Sequence, residues 1–217
     1  RYLSFLPSYI LQAIYEGLAG NDIIGFQTAR DARNFLDGAS SMLEGAIINF
    51  DKSEIEWHGH TIRVRSYPIS ISVEDERRIV LSVAAEQEVE KLRPFLNKKN
   101  IMRVDRLDPV KNIICGFHAY EQLLDEHPDL LGEVNFLAFL VPTRETASVY
   151  QNYQTEVFKV IEEINEKYGS THWNPIHLFF GNNRVRALTA MQFYDVLLVN
   201  PIVDSMNLVA KEGPVVN

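Results

Sequence analysis

The chain has 217 residues, 46% hydrophobic and 23% charged, with a formal net charge of −8 from 21 Lys and Arg against 29 Asp and Glu. That composition excludes disorder and suits one large domain or two small ones. The acidic balance excludes the broad basic face that a nucleic-acid backbone requires, so any anion must be held by a local cluster of cations.

Cys115 is the one cysteine, which rules out an internal disulfide framework and fits a reducing, cytoplasmic setting. The most apolar runs, such as "VLLVNPIV", are far shorter than the ~18 residues of a membrane helix, and no charged-then-apolar leader opens the chain. No membrane partner is expected.

Along the chain, Ile10, Leu11, Ile14 and Leu18 recur at helical spacing, and the periodicity predicts a helix from about Ser8. "NDIIGFQT" then reads as a short strand, and "ARDARNFLDGASSML" returns to helical period. "EIEWHGHTIRVRSYPISIS" reads as a hairpin turning at His58 and Gly59. The flanking His58 and His60 lack further ligands nearby and read as turn histidines, not a metal site. Too few strands are recognisable in the first 72 residues to bury a sheet, so Ile23, Ile24, Phe26 and Phe35 are expected to be partly exposed.

Glu74 to about Leu96 is charged and helical, closed by Pro94 and "NKKN". From there "IMRV", "VNFLAFLV", "IHLFF" and "DVLLVN" alternate with amphipathic helical segments. Such alternation predicts an α/β fold with a parallel sheet covered on both faces. The division expected is 1–72, a helical passage over 73–97, and 98–217.

In an open parallel sheet, ligands bind beyond the carboxyl ends of the strands. "VDRLDPVKNI" places Arg106 and Lys111 there, flanking a helix expected to start near Val110, and two cations at a helix N-terminus suit a diphosphate. A pair of surface cations bridged to Asp105 and Asp108 explains the spacing equally well. "NPIVDSMNLVAKE" carries Asp204 and Asn207 in a loop before a second helix, with Glu212 about one and a half turns in, where a carboxylate can accept the two hydroxyls of a ribose. Asp204 as a helix cap and Glu212 as a solvated helix residue make the competing reading. "LVPTRE" puts Arg144 just past a third strand.

"DRLDPVKNI", "VPTRE", "THWNPIH" and "DSMNLVAKE" stand in the order and approximate spacing of the trehalose-6-phosphate synthases, and "NDIIGFQTARDARNFL" resembles their upstream domain. The resemblance implies a retaining glycosyltransferase of GT-B type, with two Rossmann-like domains built on parallel sheets, joining glucose from a UDP- or GDP-glucose donor to glucose 6-phosphate. It implies that Arg106 and Lys111 grip the donor diphosphate and carry the catalytic stabilisation. Asp204, Met206 and Asn207 would touch the transferred glucose, Leu208 and Val209 would offer amides to phosphate, Glu212 would hold the ribose, and Arg144 would bind the acceptor phosphate. No metal or other cofactor is implied.

The same resemblance makes 1–72 the end of an acceptor-side domain and 98–217 a donor-side domain, both incomplete, with further strands before Arg1 and helices after Asn217. Such a fragment is expected to be inactive alone, and a homo-oligomer of the full-length enzyme stays open. Ser205 stands where the family usually has glycine, and Pro109, Asn112 and Tyr194 also depart from its pattern. These departures leave two alternatives: a relative using another acceptor, such as a glucosylglycerol-phosphate synthase or a cyclitol pseudo-glycosyltransferase, and a catalytically silent sugar-phosphate-binding homologue.

Overall fold

The structure is a computed structural model that describes residues 6–143, 148–204 and 206–217. It divides into two compact units, Arg1–Ile69 and Ser70–Asn217.

The first unit contains α1 (Ser8–Leu18), β1 (Ile23–Phe26), α2 (Ala29–Met42), β2 (Ile47–Asn49), β3 (Glu54–Trp57) and β4 (His60–Ser66). Thr28 sets the start of α2, its side chain accepting from the Asp31 amide. The sheet order is β1-β4-β3-β2. Only β1 and β4 are parallel; β3 pairs antiparallel with both β4 and β2, so this sheet is mixed.

The hairpin turns where expected, because His58 and Gly59 both take positive φ, 50° and 74°, as a tight two-residue turn requires. His58 is exposed, and among the described residues no three His, Cys, Asp or Glu side chains group as a metal site. The unpredicted β2 adds a fourth strand, and α1 and α2 cover one face. Ile24 and Phe35 are therefore buried, Phe35 stacked on Tyr15 at 4.8 Å, while Ile23 alone of the expected set is largely exposed.

The second unit opens with α3 (Val73–Val80) and α4 (Val83–Leu92), which split the long helical stretch read from the sequence. The break falls at Ser82, whose hydroxyl accepts from the Ala85 amide and so starts a new helix. There follow β5 (Lys99–Arg106), α5 (Ile113–Glu126), β6 (Val134–Val141), α6 (Ser148–Tyr168), β7 (Ile176–Phe180), α7 (Arg184–Ala190), β8 (Val196–Leu197) and α8 (Val209–Val216). The sheet order is β7-β6-β5-β8, every pair parallel.

β6 explains the packing. Phe136, Ala138 and Leu140 face a core formed with α5 and α6, while Leu137 and Phe139 face a second core with Leu92, Leu188 and Met191. A strand buried on both sides needs the continuous apolar run "VNFLAFLV", each large side chain contributing about 1.5–3 kcal/mol. With both faces covered, only the strand ends remain open to a ligand. Among the described residues no helix is long and apolar enough to cross a membrane.

Candidate functional site: the carboxyl edge of the parallel sheet

At the carboxyl end of β5 the strand runs on to Arg106, and the helix starts later than its sequence suggests. Pro109–Lys111 form a 3-10 turn and Asn112 takes a left-handed conformation, φ 55°, before α5 begins at Ile113. Asp108 caps the short turn by accepting from the Val110 amide at 3.1 Å. This loop is laced to the one after β8: Asn112 Nδ2 donates to the Asn200 carbonyl and Asn200 Nδ2 to the Asn112 carbonyl, each at 3.2 Å. The Ile202 amide donates to Val110 O at 2.9 Å.

Beneath the loop lies Arg103, fully buried. Its guanidinium donates to Asp105 Oδ2 at 2.9 Å, Lys111 O at 3.1 Å, Ile113 O at 3.2 Å and Asn200 Oδ1 at 3.3 Å. One side chain thus fastens the strand, the turn, the helix start and the β8 exit. Gly116 makes room for it, since a Cβ there would lie 2.5 Å from Arg103 Nη1. The sequence signal was available: Arg103 and Asp105 alternate within an apolar strand and so share one face. Burial pushes the Asp105 carboxyl up, against the pull of Arg103 and Lys111.

Lys111 and Arg106 part company. Lys111 Nζ donates to Asp204 at 2.6 Å and lies 3.8 Å from Asp105, holding the Asp204 carboxyl below its ordinary range. Arg106 is exposed and has no ion pair among the described residues. Pairing of both cations with Asp105 and Asp108 therefore describes Lys111 in part and Arg106 not at all. Asp204 does not cap α8; the cap position is Leu208, and just before it Asn207 Oδ1 accepts from the Ala210 amide at 3.0 Å while its Nδ2 donates to Asp204 at 3.1 Å.

Arg106, Lys111, Met206, Asn207, Leu208 and Val209 line one pocket of about 210 Å³. Leu208 and Val209 stand at the start of α8, where backbone N–H groups lack intrahelical partners. Val104 and Val141 belong both to this pocket and to a second one of about 370 Å³. The second pocket has Phe179 on one wall, stacked on Phe139 at 4.5 Å, with Arg184, Arg186 and Glu212 as its charged members. Gly181, φ 135°, turns the chain from β7 toward α7 beside it.

Glu212 sits in the first turn of α8, earlier than the sequence implied. Its carboxyl is pushed up by burial and by Glu76, with Arg184 at 3.5 Å working the other way. The structure thus brings Arg106, Lys111, Asp204, Met206, Asn207, Leu208, Val209 and Glu212 to one sheet edge. Arg144 and Ser205 lie outside the described residues.

Residues 2–217 match the family model for glycosyltransferase family 20. The chain belongs to that family. It is 31% identical to the UDP-forming alpha,alpha-trehalose-phosphate synthase of Schizosaccharomyces pombe, covering 92% of this chain and 39% of that protein. Identity is also 31% to an Escherichia coli trehalose-6-phosphate synthase, covering 95% and 43% respectively.

Among solved structures, the synthase from Burkholderia vietnamiensis superposes with a TM-score of 0.85 at 28% identity, over 98% of this chain and 48% of that one. An E. coli structure bound with UDP-2-fluoro glucose gives 0.81 at 30% identity, over 97% and 46%. A Burkholderia xenovorans synthase in complex with glucose-6-phosphate gives 0.82 at 27%, over 98% and 49%. The chain thus spans less than half the length of these relatives. Their architecture agrees with the expected fold class, with the first unit's sheet mixed instead of parallel.

Proposed function

We propose that the protein carrying this chain transfers glucose, with retention, from a nucleoside diphosphate glucose to glucose 6-phosphate, giving trehalose 6-phosphate. In this reading residues 98–217 belong to the donor side and 1–72 to the acceptor side. The observation that carries it is the pair of adjoining pockets at the carboxyl edge of the parallel sheet, one cationic and one partly aromatic with a carboxylate, joined through Val104 and Val141.

The smaller pocket suits a diphosphate. When the bond between the glucose C1 and the phosphate oxygen breaks, negative charge grows on the departing diphosphate. Arg106, Lys111 and the amides at the start of α8 stabilise it there. Lys111 turns from Asp204 to phosphate, and Asp204 with Met206 and Asn207 receives the glucose. The larger pocket takes the nucleoside, with its ribose diol on Glu212 and its base beside Phe179 and the 181–183 turn. Arg144 binds the acceptor phosphate.

The relatives whose structures hold UDP-2-fluoro glucose and glucose-6-phosphate support both substrate classes. The test is incubation of the full-length protein with UDP-glucose or GDP-glucose and glucose 6-phosphate, measuring trehalose 6-phosphate and nucleoside diphosphate in equal amounts. Binding of both substrates without either product would establish the silent homologue instead. Product formed only with another acceptor would establish a different transferase.

A further inference from the structure

Glu76 and Arg184 lie outside every motif quoted above, yet they meet at the nucleoside pocket. Glu76, on α3, is only 3% exposed. Arg184 Nη2 donates to its two carboxylate oxygens at 2.5 and 2.7 Å. The same Nη2 lies 3.5 Å from Glu212 Oε1 on α8. Arg184 opens α7, whose start is fixed by Asn183 accepting from the Arg186 amide at 2.9 Å. Three helices thus each contribute one charge to a Glu76-Arg184-Glu212 row, in which Arg184 and Glu212 line the pocket and Glu76 is bonded to Arg184 outside its lining.

Stability alone does not account for this row. A carboxylate taken out of water at position 76 costs more than an apolar side chain would, and Arg184, half exposed, returns little through a screened contact. A second pair, Arg186 Nε with Glu88 Oε2 at 2.5 Å, lines up the same way from α4. No ion pair joins it to Glu212 among the described residues. What distinguishes Glu76 and Arg184 is the third group they reach.

We propose that Glu76 and Arg184 are positioning residues: Glu76 anchors the guanidinium, and the guanidinium holds the Glu212 carboxylate where it accepts both hydroxyls of a nucleotide ribose. The inference rests on the donor-site reading and deepens it, because it names what selects ribose over 2′-deoxyribose. Without the anchor, Glu212 is free to rotate toward solvent, and the diol loses a fixed acceptor while the diphosphate keeps Arg106 and Lys111.

The experiment is calorimetric titration of the full-length protein with UDP and 2′-deoxy-UDP, and with GDP and 2′-deoxy-GDP. The wild type is expected to prefer the ribonucleotide of one pair by about tenfold or more, the worth of a hydrogen bond to a charged acceptor. Glu76→Gln, which keeps shape and leaves Arg184 solvated, should cut that preference to about threefold or less with little change in affinity for the deoxynucleotide. Arg184→Met should do the same, Arg184→Lys should restore part of the preference, and Glu88→Gln should leave it intact.

An undiminished preference in both Glu76→Gln and Arg184→Met, or an equal loss for both sugars, would overturn the inference while the donor site stands. A wild type that binds no nucleotide would overturn the donor-site reading itself, and the inference with it.

Discussion

Replacing Arg103 by Met removes one partner of a buried ion pair and keeps most of the volume. Asp105, 9% exposed, then loses its partner at 2.9 Å and retains only Lys111 at 3.8 Å. Breaking a buried pair costs about 3–5 kcal/mol, and the surviving lysine puts this case near the lower end, about 3 kcal/mol. For a unit of this size that lowers the melting temperature by roughly 6–12 °C in scanning calorimetry of the full-length protein.

The pH dependence has a fixed sign. Burial already raises the Asp105 carboxyl in the folded protein, and loss of Arg103 raises it further. The folded variant therefore takes up a proton more readily than the unfolded chain. Its deficit is greatest above the shifted value and shrinks as pH falls through it. Adding Asp105→Asn should recover roughly half or more of the loss, because no charge is then left buried. A melting shift under about 2 °C, or a deficit that does not shrink on acidification, would refute the compensation of Asp105 by Arg103.

For the proposed transfer, Arg106→Ala and Lys111→Ala in the full-length protein should each lower kcat/KM for the nucleotide-sugar by about 10²-fold, measured as nucleoside diphosphate release. Arg144→Ala should raise the KM for the sugar phosphate and leave the Kd for nucleotide alone unchanged in calorimetry. Because Glu212 is raised above its ordinary 4.5, its carboxylate is protonated sooner on acidification. Donor affinity titrated against pH should therefore begin to fall above that value, and Glu212→Gln should flatten the profile. Gly116→Ala puts a Cβ 2.5 Å from Arg103 Nη1 and 3.1 Å from Leu198 Cδ2; with Arg103 held by four acceptors, the change should cost about 1–3 kcal/mol in urea unfolding.

The sequence by itself determined the second unit's architecture, because period and composition are local properties. "VNFLAFLV" can be satisfied only by a strand covered on both faces, and the four apolar strands alternating with amphipathic helices imply the parallel sheet. The same reasoning located the charged groups, since the end of a strand leading into a helix is readable from the pattern alone. What period could not supply was pairing across long separations. β2 is three residues long and carries almost no periodic signal, so the mixed sheet and the burial of Ile24 and Phe35 became visible only in the fold.

The start of α5 moved to Ile113 because Asp108 caps a short turn through its own local bond to the Val110 amide, and Asn112, hydrogen-bonded to the loop after β8, takes a left-handed conformation. Arg103 with Asn200, Lys111 with Asp204, and Arg184 with Glu76 are partners about a hundred residues apart in the chain. Only tertiary structure decides such meetings, because the free energy of a charge depends on which neighbours and how much water surround it, and neither is written in its own stretch of sequence.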